Sequence, residues 1–538
     1  MFDRREFLEL AASAMLGGTS ANVHSESGAN GTPSEAGQVG NNAGKLKSRP
    51  NIILFMPDEM RADSLGCFGN EVCKTPNFDR LSSEGTRFSN CHVQFPACGA
   101  SRCSLLTGWP TSVRGHRSLY YFLRPEEPNL FRYLRQAGYD VFWFGKNDAL
   151  AAQCFADSVT QWAEPDMAVL RGSMQVSDVT PGSFSMLLTA GGERRESPDY
   201  QMLARAFEIL ERKETDRPFC IFLPLLEPHP PYTVPEDFYN MYSASDLPPL
   251  APSGLPNKPA FHAGIRELYN LAKVDDATLR KVRAVYYGQV SYSDWLMGEL
   301  MEALARTGHS GDTALFLLSD HGDYAGDYGL VEKWPSGLED CLTHVPMIGR
   351  VPGGKPGIVA DDMTELYDVM ATCLDLAGAE ANHTHFARSL TSQLAGGKGD
   401  PDRAAFSESG YNVYEPQCFE PLGAGGGLYA GKIRLQNERP ETVARSSMVR
   451  TRTHKLIRRP HGENELYDNQ HDPQERNNLF GERSVADIQA SLERKLLDHF
   501  INTTGIAPTD KDPRSLPPYY PTKSDLTPPN WQSKVLDK

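Results

Sequence analysis

The chain has 538 residues, 40% hydrophobic and 23% charged, with a formal net charge of −15. That is room for one large α/β domain and a smaller one, and no apolar run is long enough to argue for a membrane span. The acidic balance argues against wholesale nucleic-acid binding, and it requires any anion site to be built locally from Arg and Lys, because salt screens the far field beyond about 8–10 Å. The ten cysteines show no CxxC pair and no compact zinc spacing, so they do not read as a metal ribbon or a disulfide scaffold.

In chain order, residues 1–21, "MFDRREFLELAASAMLGGTSA", pair Arg4 with Arg5 ahead of Phe7 and Leu8 and a short, mildly apolar run. This resembles a bacterial twin-arginine signal with cleavage near Ala21. It implies export by the twin-arginine machinery to the periplasm or beyond, of a protein folded beforehand with reduced cysteines. Residues 22–48 are rich in Gly, Ser and Asn and read as a flexible linker. Four apolar runs then predict buried parallel strands: "NIILFM" from Asn51, "DVFWFG" from Asp140, "FCIFLPLL" from Phe219 and "ALFLLS" from Ala314. Between them, "PNLFRYLRQAG" stops at Gly138, and "VYYGQVSYSDWLMGELMEALARTG" carries a helix-period apolar stripe and stops at Gly308. The alternation predicts a doubly wound α/β sheet across 49–402. From Arg403 short β-like pieces and a last helix around "SVADIQASLERKLLDHF" predict a smaller C-terminal α+β subdomain, 403–505. A Pro-rich tail, 506–538, is expected to lack regular structure.

Each predicted strand ends in chemistry. The first delivers Asp58 and Glu59, the second Lys146 and Asp148, the third His229, and the fourth Asp320, His321 and Asp323. Ligands of open parallel sheets bind outside the carboxyl ends of strands, so these residues predict one shared site. Clustered carboxylates repel one another unless a cation joins them, and their hard oxygens suit Ca²⁺ or Mg²⁺. Adding Lys146, Arg102 and Lys333 gives the charges that a tetrahedral oxyanion such as sulfate or phosphate needs. A helix opening after "PAC" would aim backbone N–H groups at the same anion. Taken alone, Cys98 in "PACGASRCSLLTG" reads as an ordinary buried thiol.

That stretch resembles the signature of the formylglycine-dependent sulfatases: Cys, any residue, Pro or Ala, any residue, Arg. Cys98, Ala100 and Arg102 fill it, with Ser101 at its usual place. "PNIILFMPDEMRADSLGCFGN", "TPNFDRLSSEGTRFSNCH", "FGKND", "SDHGDYAGDYGLVEKW" and "ENELYDNQHDPQERNNL" resemble further family segments, in family order, from Pro50 to about Leu479. The resemblance implies an alkaline-phosphatase-like fold and a maturase that oxidises Cys98 to formylglycine. It also implies a cation, usually calcium with magnesium as the alternative, bound by Asp58, Glu59, Asp320, His321 and the modified Cys98. Arg102 would hold the hydrated aldehyde, Lys146 and Lys333 the sulfate oxygens, and His229 the sulfate or the leaving alcohol. The implied reaction is attack of the aldehyde hydrate on sulfur, then release of sulfate as the aldehyde re-forms.

His116, in "SVRGHRS", is a candidate substrate contact. Many relatives have a His two residues after the lysine, where this chain has Asp148; general base, neighbour of the metal and substrate reader all stay open for it. A phosphonate or phosphate ester hydrolase of the same superfamily and an inactive exported binding protein are the rival readings. Tyr120, Tyr121 and a variable region from Asp157 to Arg195 leave room for sugar contacts, which suits sulfated oligosaccharides, with choline sulfate and aryl sulfates also open.

Overall fold

The computed structural model describes residues 46, 49–119, 121–166, 188–212, 217–268, 271–415, 418–419 and 426–506. The twin-arginine stretch, nearly all of the linker, Tyr120, residues 167–187 of the variable region and the tail from 507 lie outside the described residues. In chain order the strands are β1 (Asn51–Met56), β2 (Thr86–His92), β3 (Asp140–Phe144), β4 (Gln161–Ala163), β5 (Leu188–Gly191), β6 (Phe219–Pro224), β7 (Tyr232–Pro235) and β8 (Thr313–Leu317). They continue with β9 (His344–Val345), β10 (Ile348–Arg350), β11 (Ile358–Glu365), β12 (Ala405–Ser409), β13 (Ser446–Arg450), β14 (His454–Arg458) and β15 (Glu465–Asp468).

A nine-stranded sheet runs β11-β2-β10-β8-β1-β6-β3-β4, with β9 beside β2. The four apolar runs predicted as parallel strands are its centre: β1 pairs parallel with β8 and β6, and β6 pairs parallel with β3. Their residues are apolar on both sides because both sides are covered. Ile53 and Phe55 of β1 face one core with Tyr286 and Leu296 of the helix Asp276–Arg306. Ile52, Leu54 and Met56 face the other, with Leu105 and Leu106 of the helix Cys98–Thr107 and Met370 of the helix Asp368–Ala377. The fold is the alkaline-phosphatase-like, mostly parallel α/β sandwich.

The outer strands escaped the periodicity reading. β10 is three residues long and antiparallel to both β8 and β2, and half of the residues of β11 are polar, as a strand at the sheet edge can be. A second, smaller antiparallel sheet, β12-β13-β14-β15, lies toward the C-terminus, where Val449, Leu456 and Leu466 pack against Leu492 and Leu496 of the helix Ala486–Thr503. No disulfide joins any of the ten cysteines, and among the described residues no helix is long and apolar enough to cross a membrane.

One glycine fixes how β3 meets the site. Gly145 follows β3 with φ 144°, donates to Ala163 O at 2.9 Å, and lies so close to β6 that a Cβ would stand 2.1 Å from Pro224 O. The next residue, Lys146, donates its own N–H to that oxygen at 2.8 Å. Only a residue without a Cβ permits this approach. Gly145→Ala is expected to lower the unfolding free energy in urea by about 2 kcal/mol or more, through combined strain and overlap; an unchanged midpoint would contradict this placement.

Candidate active site

Asp58 and Glu59 lie just past β1, and Asp320 and His321 just past β8. Since β1 and β8 are neighbours, the two loops arrive side by side, and hydrogen bonds lace them together. Glu59 N–H donates to Asp320 Oδ1 at 3.1 Å, Met60 N–H to Ser319 Oγ at 2.9 Å, and Ser319 Oγ to His321 O at 3.0 Å. Glu59 is held with φ 70°, in the left-handed region that side chains other than glycine rarely adopt, while Tyr286 OH donates to its carbonyl at 2.8 Å. Such strain persists where surrounding bonds over-determine it, and it collects at functional sites.

Cys98 opens the helix Cys98–Thr107, and Arg102 follows one turn later on the same face. Arg102 has no exposed surface; its Nε donates to Asp320 Oδ2 at 2.7 Å and its Nη2 stands 3.1 Å from Asp58 Oδ2. Cys98 Sγ lies 3.1 Å from His321 Nε2, 3.5 Å from Asp58 Oδ1 and 3.6 Å from Lys146 Nζ. Lys146 Nζ also reaches Asp58 Oδ2 at 2.7 Å and Asp148 Oδ2 at 2.9 Å. Opposite, Lys333 Nζ meets Glu59 Oε2 at 2.9 Å and His229 Nε2 at 2.6 Å. All the residues expected at the strand ends thus converge, except Asp323, whose carboxylate turns to Tyr232 OH at 2.9 Å.

The charges set distinct protonation states. Burial would raise the Asp58 carboxyl, but Lys146, Arg102, His229 and His321 hold it well below the usual carboxylate range. Glu59 goes the other way: burial, only partly offset by Lys333, pushes it well above. Burial, with Asp58 alongside, pushes the Cys98 thiol up to about 12, so the unmodified sulfur is no nucleophile near neutrality. Burial and the ammonium groups of Lys333 and Lys146 press His229 well below its ordinary value. It is therefore neutral, accepting from Lys333 at Nε2 and donating from Nδ1 to Pro230 O at 2.5 Å.

The donor set fits a hard divalent cation. One oxygen each of Asp58 and Asp320, Cys98 Sγ and a His321 nitrogen lie within 4.8 Å of one another, and Asp58, Glu59 and His229 make an overlapping group. Glu59 Oε1 is buried without a hydrogen-bond partner, and a cation would satisfy it and keep the carboxylate ionised. His321 Nδ1 is 3.0 Å from Gly322 O, which fixes the proton there and leaves the Nε2 lone pair facing the cluster.

His116 is placed otherwise: its Nδ1 lies 2.7 Å from Tyr121 O and its Nε2 3.0 Å from Glu127 Oε1, so both ring nitrogens are occupied within the protein. Arg124 lies over the Tyr121 ring. The sequence reading missed Ser319 and Tyr286, which brace the loops after β1 and β8, and Lys432, which donates to Glu332 Oε1 at 3.0 Å beside Lys333. These contacts span 100 residues or more, and no local motif announces them.

A doubly wound sheet with carboxylates and cations gathered at its strand ends defines an ester hydrolase of the alkaline-phosphatase-like class. Residues 50–379 match the sulfatase family model, and residues 435–501 match the C-terminal model of N-sulphoglucosamine sulphohydrolase. The chain belongs to the sulfatase family, and it is a sulfuric ester hydrolase. An arylsulfatase of Clostridium perfringens is 28% identical over 371 residues, 61% of this chain and 75% of its own. Two solved structures share the fold. The phosphonate monoester hydrolase of Agrobacterium radiobacter has a TM-score of 0.68 at 23% identity, covering 85% of this chain and 96% of that one. BT4656 in complex with its substrate D-glucosamine-2-N,6-O-disulfate has 0.67 at 21%, covering 86% and 100%.

Arg102→Met would leave Asp58 and Asp320 buried without their shared partner. In metal-free protein the urea unfolding free energy is expected to fall by about 3–5 kcal/mol; a loss below about 1 kcal/mol would show that Arg102 does not hold the two carboxylates together.

Proposed function

We propose that the protein hydrolyses a sulfate monoester of a carbohydrate, using Cys98 matured to formylglycine and a divalent cation, calcium before magnesium, held by Asp58, Glu59, Asp320 and His321. The observation that carries this reading is the setting of Cys98: buried at a helix start, against Asp58, His321 and Lys146, with its thiol at about 12. That is a poor place for a working thiolate and a suitable one for an oxidised side chain beside a metal. When present, the aldehyde hydrate would supply the nucleophilic oxygen and the cation the positive charge that activates it.

The chain's own residues do the rest. Arg102 fixes the two metal carboxylates in register. Lys146 directs an N–H at the reacting atom of residue 98 and can meet a sulfate oxygen there. Lys333 donates to the neutral His229 at Nε2 across 2.6 Å, and this pair is the acid that meets the leaving alcohol. The full burial of Asp58, Glu59, Arg102 and Asp320 strengthens each of these charge contacts over its value in water. Support for a carbohydrate substrate comes from the sulfated glucosamine bound by BT4656. The same fold in a phosphonate monoester hydrolase keeps phosphonate esters as the second reading. Every charged position of the site holds a chemically competent residue, which counts against an inactive binding scaffold. Arg4 and Arg5 support export to the periplasm by the twin-arginine route.

Co-expression with a formylglycine-generating maturase is expected to convert the thiol of the Cys98 peptide to an aldehyde, read by mass spectrometry. Turnover of nitrophenyl sulfate and of a panel of sulfated oligosaccharides should rise with the converted fraction. Cys98→Ala should lower kcat/KM by roughly 10³-fold or more. Full activity from a preparation whose Cys98 remains a thiol would contradict the reading.

A further inference from the structure

Asp148 stands two residues after Lys146, where many sulfatases resemble one another in carrying a histidine, and its surroundings decide among the roles left open for it. An ammonium has three N–H donors, and Lys146 faces three acceptors: Asp58 Oδ2 at 2.7 Å, Asp148 Oδ2 at 2.9 Å and Cys98 Sγ at 3.6 Å. Two carboxylates flank the charge, and the third hydrogen is left for the reacting position. The contacts of Cys98 Sγ among the described residues are Asp58, His321 and Lys146, so Asp148 stands one ammonium away from the chemistry. The side chains of Lys146 and Asp148 retain 23% and 17% exposure, whereas those of Asp58 and Arg102 retain none. Asp148 is therefore on the open side of the pocket and Asp58 on its floor. The Asp148 charge is also felt at Glu164, whose carboxyl is raised by partial burial and by that charge.

We propose that Asp148 sets the charge selectivity of the site: it cancels one positive charge at Lys146 and so matches the pocket to a singly charged ester group while weakening its hold on doubly charged ones. The proposal rests on the sulfate-ester reading above. The transferring group of a sulfate monoester carries one negative charge, whereas a phosphate monoester carries nearly two near neutrality. The balanced reaction, R–O–SO₃⁻ plus water giving R–OH, SO₄²⁻ and a proton, adds one negative charge to the anion. A fixed carboxylate this close, in a partly dehydrated site, is weakly screened. It disfavours phosphate monoesters as substrates and repels the sulfate product more than the ester it came from. Asp148 is a positioning and selectivity residue in this account, acting through Lys146.

The test uses matured, metal-loaded enzyme and the variants Asp148→Asn and Asp148→Glu. For Asp148→Asn, the inhibition constant of inorganic sulfate should fall about tenfold, and calorimetry should show the same tightening. The kcat/KM for nitrophenyl phosphate relative to nitrophenyl sulfate should rise about tenfold, while methyl nitrophenyl phosphate, a singly charged diester, should keep its ratio to the sulfate ester. Asp148→Glu, which retains the charge, should keep wild-type selectivity and guards against mere misfolding. Sulfate affinity that is unchanged or weaker in Asp148→Asn, or a parallel loss on all three esters, would overturn the proposal; the parallel loss would point to a base. Because the calorimetric sulfate affinity is read without turnover, it judges the charge proposal by itself. A wild-type enzyme that cleaves no sulfate ester would count against the functional reading instead.

Discussion

Two fully buried carboxylates end adjacent parallel strands, and one guanidinium lies between them: Asp58, Asp320 and Arg102. Unit charges about 4 Å apart repel by roughly 4 kcal/mol at an effective dielectric of 20, so the strand ends could not stay this close with both groups ionised and unpaired. Arg102 makes the juxtaposition tolerable before any metal arrives. Its position is set by the helix that Cys98 opens, so Cys98 and the electrostatic brace share one rigid element. The catalytic geometry and the stability of the sheet's upper edge are thus one problem with one solution.

Around that core the charges fall into two groups. On one side Lys146 balances Asp58 and Asp148; on the other Lys333 balances Glu59 and touches Glu332 and His229. Residues of the C-terminal segment complete the second group. Trp334 Nε1 and Ser336 Oγ both donate to Thr442 O at 2.7 Å, Gly410 N–H donates to Pro335 O at 2.7 Å, and Lys432 pairs with Glu332. The loop that presents Lys333 is therefore clamped by residues far down the chain, which gives the C-terminal segment a part in the site without a residue at its centre.

Much of this was legible because parallel strands buried on both faces must be written as continuous apolar runs, and whatever follows such a run sits at the ligand edge of the sheet. Asn51–Met56 and Thr313–Leu317 are runs of this kind, and Asp58, Glu59, Asp320 and His321 follow them. The role of Cys98 came from resemblance, because a lone cysteine carries no chemistry in its spacing. What stayed hidden is non-local. Asp323 carries the same residue type two positions from His321, yet a turn sends it to Tyr232 and to Ala325 N–H. His116 had a suggestive neighbourhood, but its ring is held by Glu127 and the Tyr121 carbonyl. The short strand Ile348–Arg350 has too few residues to show a period, and its pairing with β8 and β2 is fixed by tertiary contact.

The central claim is that the carboxylates at the ends of β1 and β8 form a divalent-cation site with His321. Calorimetric titration of metal-free protein with calcium tests it most directly. The account predicts a single site per chain that is lost in the Asp58→Asn and Asp320→Asn variants, each judged folded by circular dichroism. Calcium binding that persists undiminished in both variants, or wild-type protein that binds neither calcium nor magnesium, would contradict it.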